Sequence, residues 1–201
     1  MARVASLFAC ALVVAGAFGA GVLGAGADPP RNFRAVLAGE NEVPARDTHA
    51  RGVAVFQVHG DTISFRLIAA NIENAFAAHI HCGAAGVNGP VRITLFTGAV
   101  GSGRFDGVLS EGSASLAGVT CPNGNSLLSE IEAGNTYVNV HTNDGVGGVN
   151  TGPGDFPGGE IRGQICGGPT PSGAGRCGGP APLPYRRERL SGTASVIPAD
   201  G

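Results

Sequence analysis

The chain has 201 residues, 14% of them charged, and a formal net charge of −2. A chain this close to neutral projects no field that would gather nucleic acid or an anionic membrane, and Arg186, Arg187 and Arg189 form its one basic cluster. Glycine supplies 35 residues, far above the usual ~7%. That content disfavours long helices and suits short strands joined by tight turns.

In chain order, the first element is a leader. Arg3 precedes an apolar, uncharged stretch over 5–23, and Ala25-Gly26-Ala27 supplies a small-x-small cleavage pattern before Asp28. Residues 1–27 are therefore predicted to be a signal peptide. No second apolar run of ~18 residues follows, so no membrane span is expected after cleavage. The expected location is secreted or cell envelope, extracellular or periplasmic.

Next come segments with period-two apolar alternation. In 62–69, Ile63, Phe65 and Leu67 share one face; in 91–97, Val91, Ile93 and Leu95 do the same. Further strands are predicted over 33–38, 52–59, 77–81, 103–109, 136–142 and 160–165. Gly60-Asp61 reads as a hairpin turn. One short helix is expected, capped by Asn125 or Ser126, carrying Leu127, Leu128 and Ile131, and closed at Gly134. The predicted fold is all-β: a single antiparallel β-sandwich, immunoglobulin-like or superoxide-dismutase-like, with one short helix. The domain spans 32–166, with loops over 83–90 and 143–159. Residues 167–201 are rich in Gly and Pro and are expected to be a flexible tail.

Cysteine usage fits export. Cys10 leaves with the leader, and Cys82, Cys121, Cys166 and Cys177 remain. Four cysteines in an oxidising compartment suggest two disulfides, and three pairings are possible. Pairing nearest neighbours in sequence gives Cys82–Cys121 and Cys166–Cys177. The absence of any C-x-x-C pair disfavours thiolate zinc.

Three histidines carry the chemical interest. His79 and His81 fall on one face of a strand, with Ile80 on the other; His141 shares a strand face with Tyr137 and Asn139, opposite Val138 and Val140. If Ile80 and Val140 are core, all three imidazoles point away from it. Three neutral imidazoles suit zinc or copper and leave an open coordination position. Glu160 is a candidate fourth ligand or orienting group; Asp144 and Asp155 are weaker candidates. The competing reading is a hydrogen-bonded polar cluster that locks loops 83–90 and 143–159 to the sheet. His49 and His59 read as solvated imidazoles. No G-x-S-x-G or H-E-x-x-H motif is present, and the reading leans away from an enzyme.

Four segments carry a family resemblance. They are Phe33-Arg34-Ala35-Val36-Leu37-Ala38-Gly39-Glu40-Asn41-Glu42-Val43-Pro44; Ala78-His79-Ile80-His81 with Gly86-Val87-Asn88-Gly89-Pro90-Val91; Tyr137-Val138-Asn139-Val140-His141-Thr142; and Gly158-Gly159-Glu160-Ile161-Arg162-Gly163-Gln164-Ile165. Together they resemble the CHRD domain, named from chordin and also found alone in secreted proteins. The resemblance implies a β-sandwich and little biochemistry. The H-x-H strand is also similar to the copper-ligand strand of copper/zinc superoxide dismutases, but their histidine-rich zinc loop has no counterpart here. The expected function is a non-enzymatic extracellular domain that binds or scaffolds an unknown extracellular protein or matrix partner. The alternative is a secreted copper or zinc metalloprotein, with possible redox activity, built on His79, His81 and His141.

Overall fold

The computed structural model describes residues 30–167; the predicted leader, the segment after Gly167 and Cys177 lie outside them. Nine strands and one helix follow in order: β1 (Arg31–Ala38), β2 (Arg51–His59), β3 (Thr62–Glu73), β4 (Ala75–Cys82), β5 (Val91–Thr97), β6 (Arg104–Ser115), α1 (Leu127–Ala133), β7 (Thr136–Thr142), β8 (Ile161–Gln164) and β9 (Cys166–Gly167). A short 3-10 turn (Gly39–Asn41) follows β1.

All strand pairs are antiparallel, and they form one sheet in the order β5-β4-β7-β8-β1-β2-β3-β6, with β9 also against β1. The sheet curls until its two end strands approach each other. The Ser110 hydroxyl of β6 donates to the Leu95 carbonyl of β5 at 2.7 Å. The two layers expected of a sandwich are thus opposite walls of one nearly closed, barrel-like sheet.

Alternation builds the interior. Phe33, Ala35 and Leu37 point in from β1, Ala54, Phe56 and Val58 from β2, Ile63 and Leu67 from β3, and Ile80, Val138 and Val140 from β4 and β7. Burying an aliphatic or aromatic side chain of this size contributes about 1.5–3 kcal/mol.

Helix α1 closes one end. The Ser126 hydroxyl accepts from the Ser129 N–H at 3.1 Å, and Gly134 ends the helix with φ +76°. Glycine enters that left-handed conformation without a Cβ penalty. Leu127 and Ile131 seat the helix on the core.

The strands depart from the expected bounds where alternation fails. β3 and β6 run several residues longer than predicted because register shifts between Leu67 and Ile68 and between Ala69 and Ile72 break the two-residue period without ending the pairing. The predicted 160–165 strand is observed as β8, and β9 follows beyond its predicted end. Ile165, between the two, is fully buried, and the Ile165 N–H donates to the Thr136 carbonyl at 2.9 Å.

Cys82 and Cys121 are disulfide-bonded across 39 residues, with Cα atoms 5.8 Å apart. Closing a loop of that length in the unfolded chain is worth about 4 kcal/mol. Cys166 is also disulfide-bonded; Cys177, its expected partner, lies outside the described residues.

Candidate functional site

The site is built on the outer face of β4, β7 and β8. Register places His79 opposite Asn139, and Asn139 opposite Arg162; one step along, His81 lies opposite Tyr137, and Tyr137 opposite Gln164. Because Ile80, Val138 and Val140 fill the core, these polar side chains all face outward. They are nonetheless covered. Tyr137, Asn139 and Arg162 are each at most 3% exposed.

Three loops form the cover. Arg162 donates to Asn88 Oδ1 at 3.0 Å, to the Val87 carbonyl at 2.9 Å and to the Ala84 carbonyl at 3.2 Å. Gln164 donates to the Gly83 and Gly134 carbonyls, each at 2.8 Å. Asn88 in turn donates to the Val43 carbonyl at 2.7 Å, which ties loop 83–90 to the segment after β1. Arg46 of that segment lies over the Phe156 ring at 4.7 Å, which ties it to loop 143–159.

Beneath this cover the three histidines converge. One ring nitrogen from each of His79, His81 and His141 lies within 4.8 Å of the others. The tautomers follow from the partners. His81 Nδ1 is 2.8 Å from the Gly89 carbonyl, and His141 Nδ1 is 2.8 Å from the Pro157 carbonyl. A carbonyl only accepts, so each Nδ1 carries the proton and each Nε2 presents a lone pair. His79 Nδ1 donates to His141 Nε2 at 3.0 Å. His81 Nε2 is buried without a well-formed hydrogen bond, and the Asn139 side chain lies beside the ring.

The two readings of the cluster occupy different nitrogens except at the His79–His141 contact, where the hydrogen bond uses His141 Nε2. The Nδ1 atoms of His81 and His141 pin loops 83–90 and 143–159, as the polar-cluster reading expects. One ring nitrogen of each also converges with His79, the arrangement that a metal ion would need. Imidazoles that ligate metals ordinarily donate the other ring N–H to a carbonyl or carboxylate, which fixes tautomer and aim.

Electrostatics keeps the rings neutral. Burial lowers His141 to about 4, with the neighbouring histidines adding to the effect and the Pro157 carbonyl opposing it. Burial, then His81, lowers His79. Burial also lowers His81, against the Gly89 carbonyl and the Asn139 side chain, and Arg162 adds to the lowering.

The donor set fits a transition metal. Two imidazole nitrogens on one zinc at ~2.0–2.1 Å stand about 3.4 Å apart. The 4.8 Å span would have to close by somewhat more than an ångström to hold one ion.

The carboxylates stand elsewhere. Glu160 Oε1 accepts from the Thr48 hydroxyl at 2.6 Å, and Oε2 accepts from the Thr142 hydroxyl at 2.6 Å and the Gly154 N–H at 2.9 Å. Glu160 therefore ties the 48 and 154 regions to β7, and it is not among the converging ligand atoms. Asp155 Oδ2 accepts from the Thr151 N–H and hydroxyl. Asp144 Oδ1 accepts from the Val146 N–H at 2.9 Å, closing a turn in the same loop.

A second group around the site escaped the sequence reading. The Tyr137 ring stacks on His81 at 4.8 Å with 10° between the planes, and the Arg162 guanidinium lies 3.4 Å from the centre of the Tyr137 ring. Glu42 is buried nearby, and burial pushes its carboxyl up to about 7 against the pull of Arg162 and Arg46. Gly159, with φ +125°, leaves room for it, since a Cβ there would lie 2.5 Å from Glu42 Oε1. The available signal was the run Gly159-Glu160-Ile161-Arg162-Gly163-Gln164, whose charged residues alternate with an apolar one on a strand.

No curated protein and no solved structure matches the chain. A family model, the CHRD domain, matches residues 33–165. That span runs from β1 through β8 and takes in the disulfide, the three histidines and their loops. Since it covers about two thirds of the sequence, the chain belongs to the CHRD-domain family.

Proposed function

We propose that this chain works outside the cytoplasm as a non-enzymatic binding domain whose ligand is a transition-metal ion, copper or zinc, held by His79, His81 and His141. The observation that carries this reading is the convergence of one ring nitrogen from each of the three histidines within 4.8 Å, with the buried His81 Nε2 lacking a well-formed hydrogen bond. Leaving a buried acceptor unpaired ordinarily costs about 1–3 kcal/mol. Here the Gly89 carbonyl fixes the ring so that the lone pair faces the other two imidazoles. A metal ion would satisfy that atom together with the His79 and His141 nitrogens. Glu160 serves the framework, because both its oxygens are already engaged by Thr48, Thr142 and Gly154. Export is supported by the family match, the Cys82–Cys121 disulfide and the leader pattern, with cleavage before Asp28.

The test uses tag-free protein recovered from outside the producing cells. It is loaded with copper(II) or zinc, dialysed and analysed for metal. The expected result is one metal ion per chain starting at Asp28, lost in His81→Ala. Free metal at a hundred times its Kd should also raise stability by about 2.7 kcal/mol, read as a higher Tm. Metal well below one per chain, or full loading retained in both His79→Ala and His81→Ala, overturns the metal reading. Retention of the product inside the cells overturns the location.

A further inference from the structure

Resting on the three-histidine reading, we propose that the site selects copper in its lower oxidation state, and that Arg162, acting through Tyr137 and His81, is the positioning residue that sets this preference.

The first argument is the donor set. The three converging ligands are neutral imidazoles, and no carboxylate or thiolate stands among them. Glu160 has both oxygens engaged by loop hydroxyls and an N–H group, and Asp155, which holds Thr151 through Oδ2, is not among the converging groups. The Cys82 sulfur, next in sequence to His81, is held in the disulfide. A neutral ligand set leaves the whole charge of the ion uncompensated, which weighs more heavily on a dication than on a monocation. Copper(I) is content with three ligands, whereas zinc completes a tetrahedron with a fourth.

The second argument is the cation behind His81. The guanidinium of Arg162, the Tyr137 ring and the His81 ring form one stack. Those two separations place the guanidinium within about 8 Å of the imidazole. The hydrogen-bond acceptors of Arg162 are the neutral Asn88 amide and two backbone carbonyls. No carboxylate forms an ion pair with it among the described residues. Glu42 is the acid that faces it, and burial keeps that carboxyl only partly ionised at neutral pH. In a partly buried site a fixed positive charge at this range repels a dication by twice as much as a monocation. The difference is on the order of tenfold or more in relative affinity.

The test begins with the unmodified protein. Zinc-loaded protein is titrated under anaerobic conditions with copper(I) supplied as its acetonitrile complex, and released zinc is read with a chromogenic indicator. One equivalent of copper(I) should release one equivalent of zinc. The ratio of copper(I) to copper(II) affinity is then measured by competition with chelators specific for each state. Arg162→Gln, which removes the charge, should lower that ratio about tenfold, while Arg162→Lys, which keeps it, should stay near the unmodified value. Zinc that stays bound against one equivalent of copper(I) overturns the proposal without reference to any variant. So does an unchanged ratio in a folded Arg162→Gln. Either result leaves the three-histidine site standing, whereas failure to take up zinc or copper at all removes both.

Discussion

The two halves of the sheet carry similar alternations but treat their outer faces differently. Across β1, β2, β3 and β6 the outer face is bare. Register aligns Val36, Val53, Ile68 and Val108 in one row and Arg34, Val55, Arg66 and Glu111 in the next. Val36, Ile68 and Val108 are all substantially exposed, and Arg66 pairs with Glu111 at 3.3 Å in solvent. Across β4, β7 and β8 the equivalent face is roofed by loops, and the polar side chains there are buried and bonded to loop backbone. The same period-two pattern thus yields a solvated face in one half and a second, polar interior in the other. What decides between them is whether the outward side chains have backbone groups to hold.

The largest expected break in that comparison is a pair of arginine truncations. Arg162→Ala removes three hydrogen bonds to loop 83–90 and the stack on Tyr137, and should cost about 3 kcal/mol or more in urea denaturation. Arg66→Ala on the bare face should cost less than about 0.5 kcal/mol, since exposed ion pairs contribute little. Equal losses at the two positions would erase the distinction between the halves.

A second measurement uses pH. The Glu42 carboxyl is raised by burial from 4.5 to about 7 in the folded protein. The folded state therefore holds a proton that the unfolded chain has released, and Glu42 makes stability fall as pH rises from about 4.5 through 7. Glu42→Gln lacks this slope. Relative to the unmodified protein it should gain about 2 kcal/mol between pH 5 and pH 8. Taking the difference between the two proteins removes the opposite trend of the histidines, whose folded values are depressed. A difference that stays flat across that range would place Glu42 in a wetter setting than the roofed half implies.

The smallest effect belongs to the bare face. Ile68→Thr replaces an exposed aliphatic with another β-branched residue suited to strands, and should change stability by less than about 0.5 kcal/mol. A loss above 1 kcal/mol would mean that this row is covered in solution.

Much of this arrangement was legible in the sequence. The alternation around Ile80 and Val140 correctly turned His79, His81 and His141 away from the core, and Ser126 and Gly134 marked the helix ends. Nearest-neighbour pairing identified Cys82–Cys121. The roof was not legible. Strand periodicity reports which way a side chain points, and says nothing of what loops lie beyond it. Nothing in the sequence marked Arg162 for burial, although loop 83–90 buries it through contacts 74 to 78 residues distant in sequence. Glu160 read as a candidate fourth ligand or orienting group, but its commitment to Thr48 depends on a segment 112 residues away. The closure of the sheet was hidden for the same reason, since Leu95 and Ser110 meet across the seam without belonging to paired strands.

The Gly89 and Pro157 carbonyls divide responsibility for the histidine cluster between two kinds of structure. The sheet decides where each ring sits, while a loop carbonyl decides which edge of the ring is basic. Insertions or replacements in loops 83–90 and 143–159 could therefore silence or retune the cluster while every strand stays in register. Chemistry in this domain can vary without the barrel changing, through two peptide units that do no more than hold a proton in place.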